Sequence, residues 1–441
     1  MKVWVDRLLR GGVLERGVLF ESDAAGSVVI ETTGTAAPAD ATVLDLGVPG
    51  FANAHSHAFH RALRGRTHES GSFWTWRELM YRAAARLDPT TYRDFATAVF
   101  SEMVATGWTS VGEFHYVHHR PDGTPYDDHA MEIALADAAA EAGIRLVLLD
   151  TCYLAGGIGR PLTAEQARFG DADAGAWLDR WHSLRAALDG RSELVTLGAA
   201  LHSVRGVPRE ALGRIAQLLP GDVPLHIHLS EQPAENEDCV AAYGLTPTEL
   251  LAEEGVLSAR LSVVHATHLT DGDIRLLGQA GVHAVFCPTT EADLGDGIGP
   301  ALELAEAGAT LAVGSDQNAV VDPLLELRGL EAGERLRSLR RGRIAPESLW
   351  RIGSVGGYGS LGLAEPARLG GPLDLVELDP ISIRTAGSRI EQLPLTATAA
   401  DVKRTIVGGR VIVHDEVAVA ERLRRCISTL FAEDKGFEED R

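Results

Sequence analysis

The chain has 441 residues, 45% of them hydrophobic and 23% charged, which excludes wholesale disorder and leaves enough chain for a large core. Its 41 basic and 62 acidic side chains give a formal net charge of −21, which argues against nucleic acid and against anionic membranes as partners. Four scattered cysteines without a CxxC pair, no apolar leader and no run of about 18 apolar residues point to a soluble, cytoplasmic protein without disulfides.

Residues 1–46 alternate apolar and polar side chains, with turn signals at Gly11-Gly12 and Ala24-Ala25-Gly26, and read as short antiparallel strands. From residue 47 the pattern changes. Short apolar runs recur at Val48–Ala54, Thr109–Phe114, Leu146–Asp150, Val195–Leu201, Val223–Leu229, Leu261–Val264, His283–Cys287 and Thr310–Val313. Between most of them lie Ala/Leu/Glu-rich helical stretches such as 89–106, 127–143, 208–219, 246–256, 270–280 and 299–308, whereas 58–82, with Gly65, Gly71 and several aromatics, reads as a loop. Eight alternating strands and helices predict an α/β fold, a (β/α)8 barrel of the TIM type, with polar residues at the C-terminal strand ends where barrel enzymes keep their sites. Strand-like sequence returns at Leu373–Asp379 and Val402–Val413, the latter around a Gly408-Gly409 turn, and 417–432 reads as an amphipathic helix. The expected domains are a small β-sandwich from 1–46 plus 370–416, a barrel over 47–369, and a C-terminal helix and tail over 417–441.

Titratable residues cluster at those strand ends. Residues i and i+2 of a strand share a face, so His55 and His57 aim together into the barrel mouth and can share one metal ion. His226 and His228 with Glu231 end the fifth strand, His265 and His268 the sixth, and Ser315-Asp316 the eighth. Histidine nitrogen and carboxylate oxygen suit zinc, although iron or manganese could take the same set, and a catalytic site keeps one position open for water. Spacing alone leaves His226 and His228 as competing ligands.

The run Val48-Pro-Gly-Phe-Ala-Asn-Ala-His-Ser-His57, together with Gly371–Asp379 and Val407–Val413, resembles the amidohydrolase superfamily. No bridging lysine is seen at the ends of strands three or four, which points to its mononuclear deaminase branch. Within it, Ser72-Phe-Trp-Thr-Trp-Arg-Glu78, Gly112-Glu-Phe-His-Tyr-Val-His-His119, His202-Ser-Val-Arg205 and Thr290-Glu-Ala-Asp-Leu-Gly-Asp-Gly-Ile298 resemble the formimidoylglutamate deiminase family.

The resemblance implies one Zn²⁺ per subunit held by His55, His57, His228 and Asp316. It favours His228 over His226 because His228 stands three residues before Glu231. It implies catalytic roles for Glu231, His265 and Asp316, and substrate contacts from His60, Arg77, Tyr116, His202 and Arg205. The implied reaction is hydrolysis of N-formimino-L-glutamate to N-formyl-L-glutamate and ammonia by a homodimer, as in histidine degradation. His60 stands where the family has Gln and could titrate near pH 6.5. Asp293 and Gln317-Asn318 also depart from the family pattern, which leaves open another formimino acid as substrate. A nucleobase or nucleoside deaminase would share the metal chemistry but would not need two arginines. Trp74 and Trp76 read as loop anchors; His118 and His119 could suggest a second metal but read as residues that order the loop after strand two.

Overall fold

The computed structural model describes residues 1–67 and 73–432, with the side chains of 73–75 outside that description. The strands in chain order are β1 (Lys2–Arg10), β2 (Val13–Ser22), β3 (Val28–Thr32), β4 (Thr42–Pro49), β5 (Phe51–Ser56), β6 (Trp108–His115), β7 (Arg145–Cys152), β8 (Val195–Leu201), β9 (Leu225–Leu229), β10 (Leu261–His265), β11 (His283–Phe286), β12 (Thr310–Val313), β13 (Leu375–Leu378), β14 (Val402–Val407) and β15 (Arg410–Ile412).

Strands β5 to β12 form an eight-stranded sheet in sequential order, every pair parallel. Every residue of β5, β6, β7, β9 and β10 is buried, as a sheet covered on both faces requires. The sheet closes where its last strand meets its first. Ser56 bridges Asp316 in parallel; the His57 amide donates to the Asp316 carbonyl and the Asp316 amide to the His55 carbonyl, both at 2.9 Å. Gly314 makes that approach possible, because a Cβ there would lie 2.7 Å from the His55 carbonyl oxygen, and backbone cannot give way as a side chain can. Gly314→Ala is therefore expected to destabilise the fold by about 1–3 kcal/mol, seen as an earlier denaturant midpoint, and to weaken metal retention with it.

The other seven strands make a mixed sheet in the order β15-β14-β13-β4-β1-β2-β3, so the two ends of the chain build one body over their own core of Val3, Val5, Val18, Phe20, Leu375 and Ile406. Gly26 and Gly408 touch backbone to backbone there: a Cβ on Gly26, whose φ is +81°, would lie 2.5 Å from the Gly408 Cα. Asp374, fully buried, ties sheet to barrel by accepting from Arg145, from the Tyr358 hydroxyl at 2.7 Å and from the Gly408 amide at 2.7 Å.

The segment 58–82, expected as a loop, is largely helical: a 3-10 turn spans Ala58–Leu63 and an α-helix spans Phe73–Ala85. Met80, Ala83 and Ala84 are buried, the i, i+3, i+4 stripe of a helix lying on a core, and Leu87 just past its end is buried as well. The C-terminal helix, Glu416–Leu430, lies on helix Pro89–Ala105, with Arg422 paired to Asp94 at 2.6 Å and to Glu141 at 2.8 Å. Among the described residues no helix is long and apolar enough to cross a membrane.

Candidate metal centre and active site

His55 in β5, His57 just after it, His228 in β9 and Asp316 after β12 converge at the barrel mouth. His55 Nε2 lies 3.3 Å from Asp316 Oδ1 and 3.2 Å from His228 Nε2; His57 Nε2 lies 3.5 Å from the same carboxylate oxygen and 3.4 Å from His228 Nε2. These spacings are what four donors around one divalent cation present. The rings are aimed from behind: His57 Nδ1–H donates to the Phe114 carbonyl at 2.8 Å and His228 Nδ1–H to the His202 carbonyl at 2.9 Å, which leaves each Nε2 lone pair facing the cluster. Burial pushes the pKa of all three imidazoles down, so they are neutral, the form that binds a metal. Burial alone would raise the Asp316 carboxyl, but a hydrogen bond from His55 and the fields of His55, His265 and His57 hold it well below the usual carboxylate range. The donor set fits a divalent ion of the zinc type.

His265, at the end of β10, faces the same cluster with Nε2 3.9 Å from Asp316 Oδ2 and 3.9 Å from Glu231 Oε1. Burial opposes charge on His265, yet Glu231, Glu291 and Asp316 together push its pKa up to about 10. Ser230, His265, Ala266 and Asp316 all have positive φ without being glycine, so backbone strain is concentrated at the strand ends that present these groups.

His226 points elsewhere. It lies one layer deeper in the barrel and its Nε2–H donates to the Ser360 carbonyl at 2.9 Å, which removes it from the cluster.

A cavity opens above the cluster, lined by His57, His228, Glu231, His265 and Asp316 and by all five expected substrate contacts, His60, Arg77, Tyr116, His202 and Arg205. Arg205 is steered by Glu235, whose Oε2 accepts from its Nε at 2.7 Å, and its Nη2 lies 3.4 Å from Glu231. Arg77 donates to the Tyr81 hydroxyl at 2.6 Å. His60 Nε2 pairs with the Tyr116 hydroxyl at 3.0 Å, and burial pushes its pKa down to about 3, so it does not titrate near pH 6.5 as its sequence position suggested.

Several residues with a hand in this geometry had no role in the sequence reading. Glu291 accepts from the Cys287 amide at 2.8 Å and lies 3.4 Å from His265 Nδ1, which orients that ring. Glu235 orients Arg205 and accepts from the Ser230 amide. Asp296 accepts from Gln232, and burial together with the nearby Glu231 pushes its pKa up to about 8. Glu113 accepts from the Ala58 amide at 2.6 Å, directly behind His57, and burial pushes it up to about 8. A signal existed for three of them: Glu235 follows Glu231 by four residues, and Glu291 and Asp296 lie in the Thr290–Ile298 segment. Nothing in the sequence announced Glu113 as a brace.

The positions that depart from the family pattern meet one another. Gln317 donates to Asp293 at 2.7 Å and accepts from Trp76 Nε1–H at 3.0 Å, joining helix Phe73–Ala85 to the chain beside Asp316. Trp76 thus anchors its segment, as expected; the Trp74 side chain lies outside the described residues. Asn318 ties the barrel closure, donating to Ser56 Oγ and to the carbonyls of His57 and Asp316, and accepting from Ser315 Oγ at 2.7 Å.

A sequence profile described as the Amidohydrolase family matches residues 47–412. The chain is 36% identical over 432 residues to a formimidoylglutamate deiminase of Pseudomonas aeruginosa, covering 94% of each. It is 28% identical over 438 residues to a 5-methylthioadenosine/S-adenosylhomocysteine deaminase of Halobacterium salinarum, covering 95% of each. Among solved structures, an amidohydrolase from Brucella melitensis superposes with a TM-score of 0.90 at 32% identity, over 98% of this chain and 99% of that one.

Proposed function

As the chain belongs to the amidohydrolase family, we propose that it is a zinc-dependent deiminase that hydrolyses N-formimino-L-glutamate to N-formyl-L-glutamate and ammonia. The observation that carries this reading is the presence of two guanidinium groups, Arg77 and Arg205, in the same cavity as the His/Asp cluster. A glutamate moiety has two carboxylates, and guanidinium matches carboxylate in a two-point fork. The protein as a whole, at −21, repels a dianion, so local cations must supply the attraction. The similarity to a formimidoylglutamate deiminase along nearly the whole chain supports the same substrate.

In this reading His55, His57, His228 and Asp316 hold one zinc ion. Zinc supplies Lewis acidity, which makes water a nucleophile near neutral pH. The side chains move the protons. Asp316 accepts the proton of the attacking water as its oxygen bonds to the formimino carbon. His265, steadied by Glu291, holds that oxygen by a hydrogen bond. Glu231 relays both protons of that water to the terminal nitrogen, one as the oxygen adds and the hydroxyl proton as the C–N bond breaks, so that ammonia rather than amide ion leaves and a formyl C=O remains. Tyr116 and His202 position the amidine end, and His60 donates a hydrogen bond as a neutral ring.

Two predictions follow from the cavity. Arg205→Ala is expected to lower kcat/KM for N-formimino-L-glutamate on the order of 10²-fold, the loss of about 3 kcal/mol in charge-assisted hydrogen bonds. The assay is ammonia release by the zinc-loaded enzyme, with N-formimino-L-aspartate, adenosine and guanine alongside. Turnover of the glutamate derivative, sharply reduced in the variant, supports the reading. Turnover of a purine instead, to which the aromatic lining of Tyr81, Tyr116, Tyr153 and Phe169 would be suited, overturns it. For His60, a folded pKa near 3 keeps the ring neutral from about pH 5 to 8, so His60→Gln should leave the pH–rate profile unshifted across that range. A limb that disappears in the variant would show that His60 titrates during turnover.

A further inference from the structure

We infer that the chain binds a second divalent metal ion, structural rather than catalytic, between His115, His118 and Glu132 on the outer side of the barrel wall. Along β6 the side chains alternate. The Phe114 ring packs on His55, His57 and His228, so His115 faces the opposite way, with its ring centroid 5.8 Å from that of Tyr92 on helix Pro89–Ala105. Glu132 reaches the same space from the first turn of helix Ala130–Ala142, and His118 from the loop between them. One ligand atom from each of the three lies within 4.8 Å of the others, and all three side chains are buried.

The arrangement of hydrogen bonds calls for a cation. His118 Nε2–H donates to the Thr151 carbonyl at 2.9 Å, which turns Nδ1 toward Glu132 Oε1 at 2.8 Å and Asp150 Oδ1 at 3.4 Å. Anchoring one ring nitrogen on a backbone carbonyl and turning the other toward a carboxylate is what His57 does in the candidate metal centre. His115 is 1% exposed and neither of its ring nitrogens has a hydrogen-bond partner, while its Nε2 points to the same Glu132 oxygen at 3.4 Å.

Charge gives the same answer. Three buried carboxylates, Glu132, Asp150 and Asp171, surround one guanidinium, Arg180, whose contacts to them are 3.5, 2.8 and 3.0 Å. His119, 3.6 Å from Asp171, Tyr92 beside His115 and Cys152 near Asp150 and Asp171 are further titratable neighbours. The carboxylates outnumber the guanidinium among them, and a divalent ion would offset that excess, since uncompensated buried charge is costly. Two imidazoles and a carboxylate, with Asp150 Oδ1 as a fourth donor, form the nitrogen/oxygen set of a closed zinc-type site. None of these residues lines the substrate cavity. The ion would instead pin the loop carrying Tyr116 between barrel strand and helix.

The test uses the full chain equilibrated with excess zinc and freed of loose metal. Metal analysis should find two zinc ions per chain in the parent and one in His118→Gln. Crystals of the parent should give two anomalous peaks at the zinc edge, one at His55/His57/His228/Asp316 and one at His115/His118/Glu132. A single peak at the first cluster overturns the inference, as does a parent with one zinc ion per chain or a His118→Gln variant that keeps two. If His118→Gln fails to fold, the peaks in the parent crystal decide alone.

Discussion

Glu231→Gln is expected to lower kcat by about 10²–10⁴-fold while the zinc content stays at the parental level, the range lost when one positioned acid–base group is removed. The side chain stands at the end of β9 with Oε1 3.9 Å from His265 Nε2 and Oε2 3.4 Å from Arg205, between the metal cluster and a candidate carboxylate clamp. Glutamine keeps the volume and can still hydrogen-bond, so loss of rate reports the missing proton. Departure of ammonia from a tetrahedral carbon needs that proton, whereas binding of the glutamate moiety does not. KM should therefore change little. A kcat within tenfold of the parent would move the proton donor to another group, with Asp296 the nearest carboxyl whose pKa is high enough to keep a proton at neutral pH.

Asp316→Asn is expected to lower kcat on the order of 10⁴-fold and to reduce zinc occupancy as well, because one carboxylate is assigned two duties, a metal bond and acceptance of the water proton. Asparagine suits the test. It tolerates the left-handed backbone at this position (φ 42°), and the barrel closure uses only the backbone amide and carbonyl of residue 316. The fold should therefore survive. Measuring kcat after saturation with zinc separates the two duties: recovery of zinc without recovery of rate identifies proton acceptance as the larger loss. Recovery of both would assign the proton to another group.

Much of the architecture was legible from apolar runs. Val195–Leu201 and Thr310–Val313 match β8 and β12 residue for residue, and the other barrel strands differ by a few residues at their ends. The i, i+2 spacing of His55 and His57 was enough to aim both rings into the barrel. The Ser-Phe-Trp-Thr-Trp segment reads as a loop from its aromatic and glycine neighbours, because the helical stripe Met80, Ala83, Ala84 is too short to stand out in the sequence.

The sequence by itself determined the alternation of strands and helices, the end of the barrel that carries polar groups, and the residue types gathered there, since these depend on local periodicity and side-chain chemistry. Spacing left His226 and His228 equivalent because the two share a strand face; the resemblance favoured His228, and the fold shows the physical difference, His226 donating to the Ser360 carbonyl while His228 faces the cluster. Only the tertiary structure revealed that Glu291 turns His265, that Glu235 turns Arg205, and that Gln317 joins Asp293 to Trp76, since each pair meets through strands or loops distant in the chain. Burial decided the rest. The same imidazole that titrates near neutrality in water is held neutral at His60 and pushed up to about 10 at His265, because desolvation and neighbouring carboxylates act through space and leave no mark on sequence spacing.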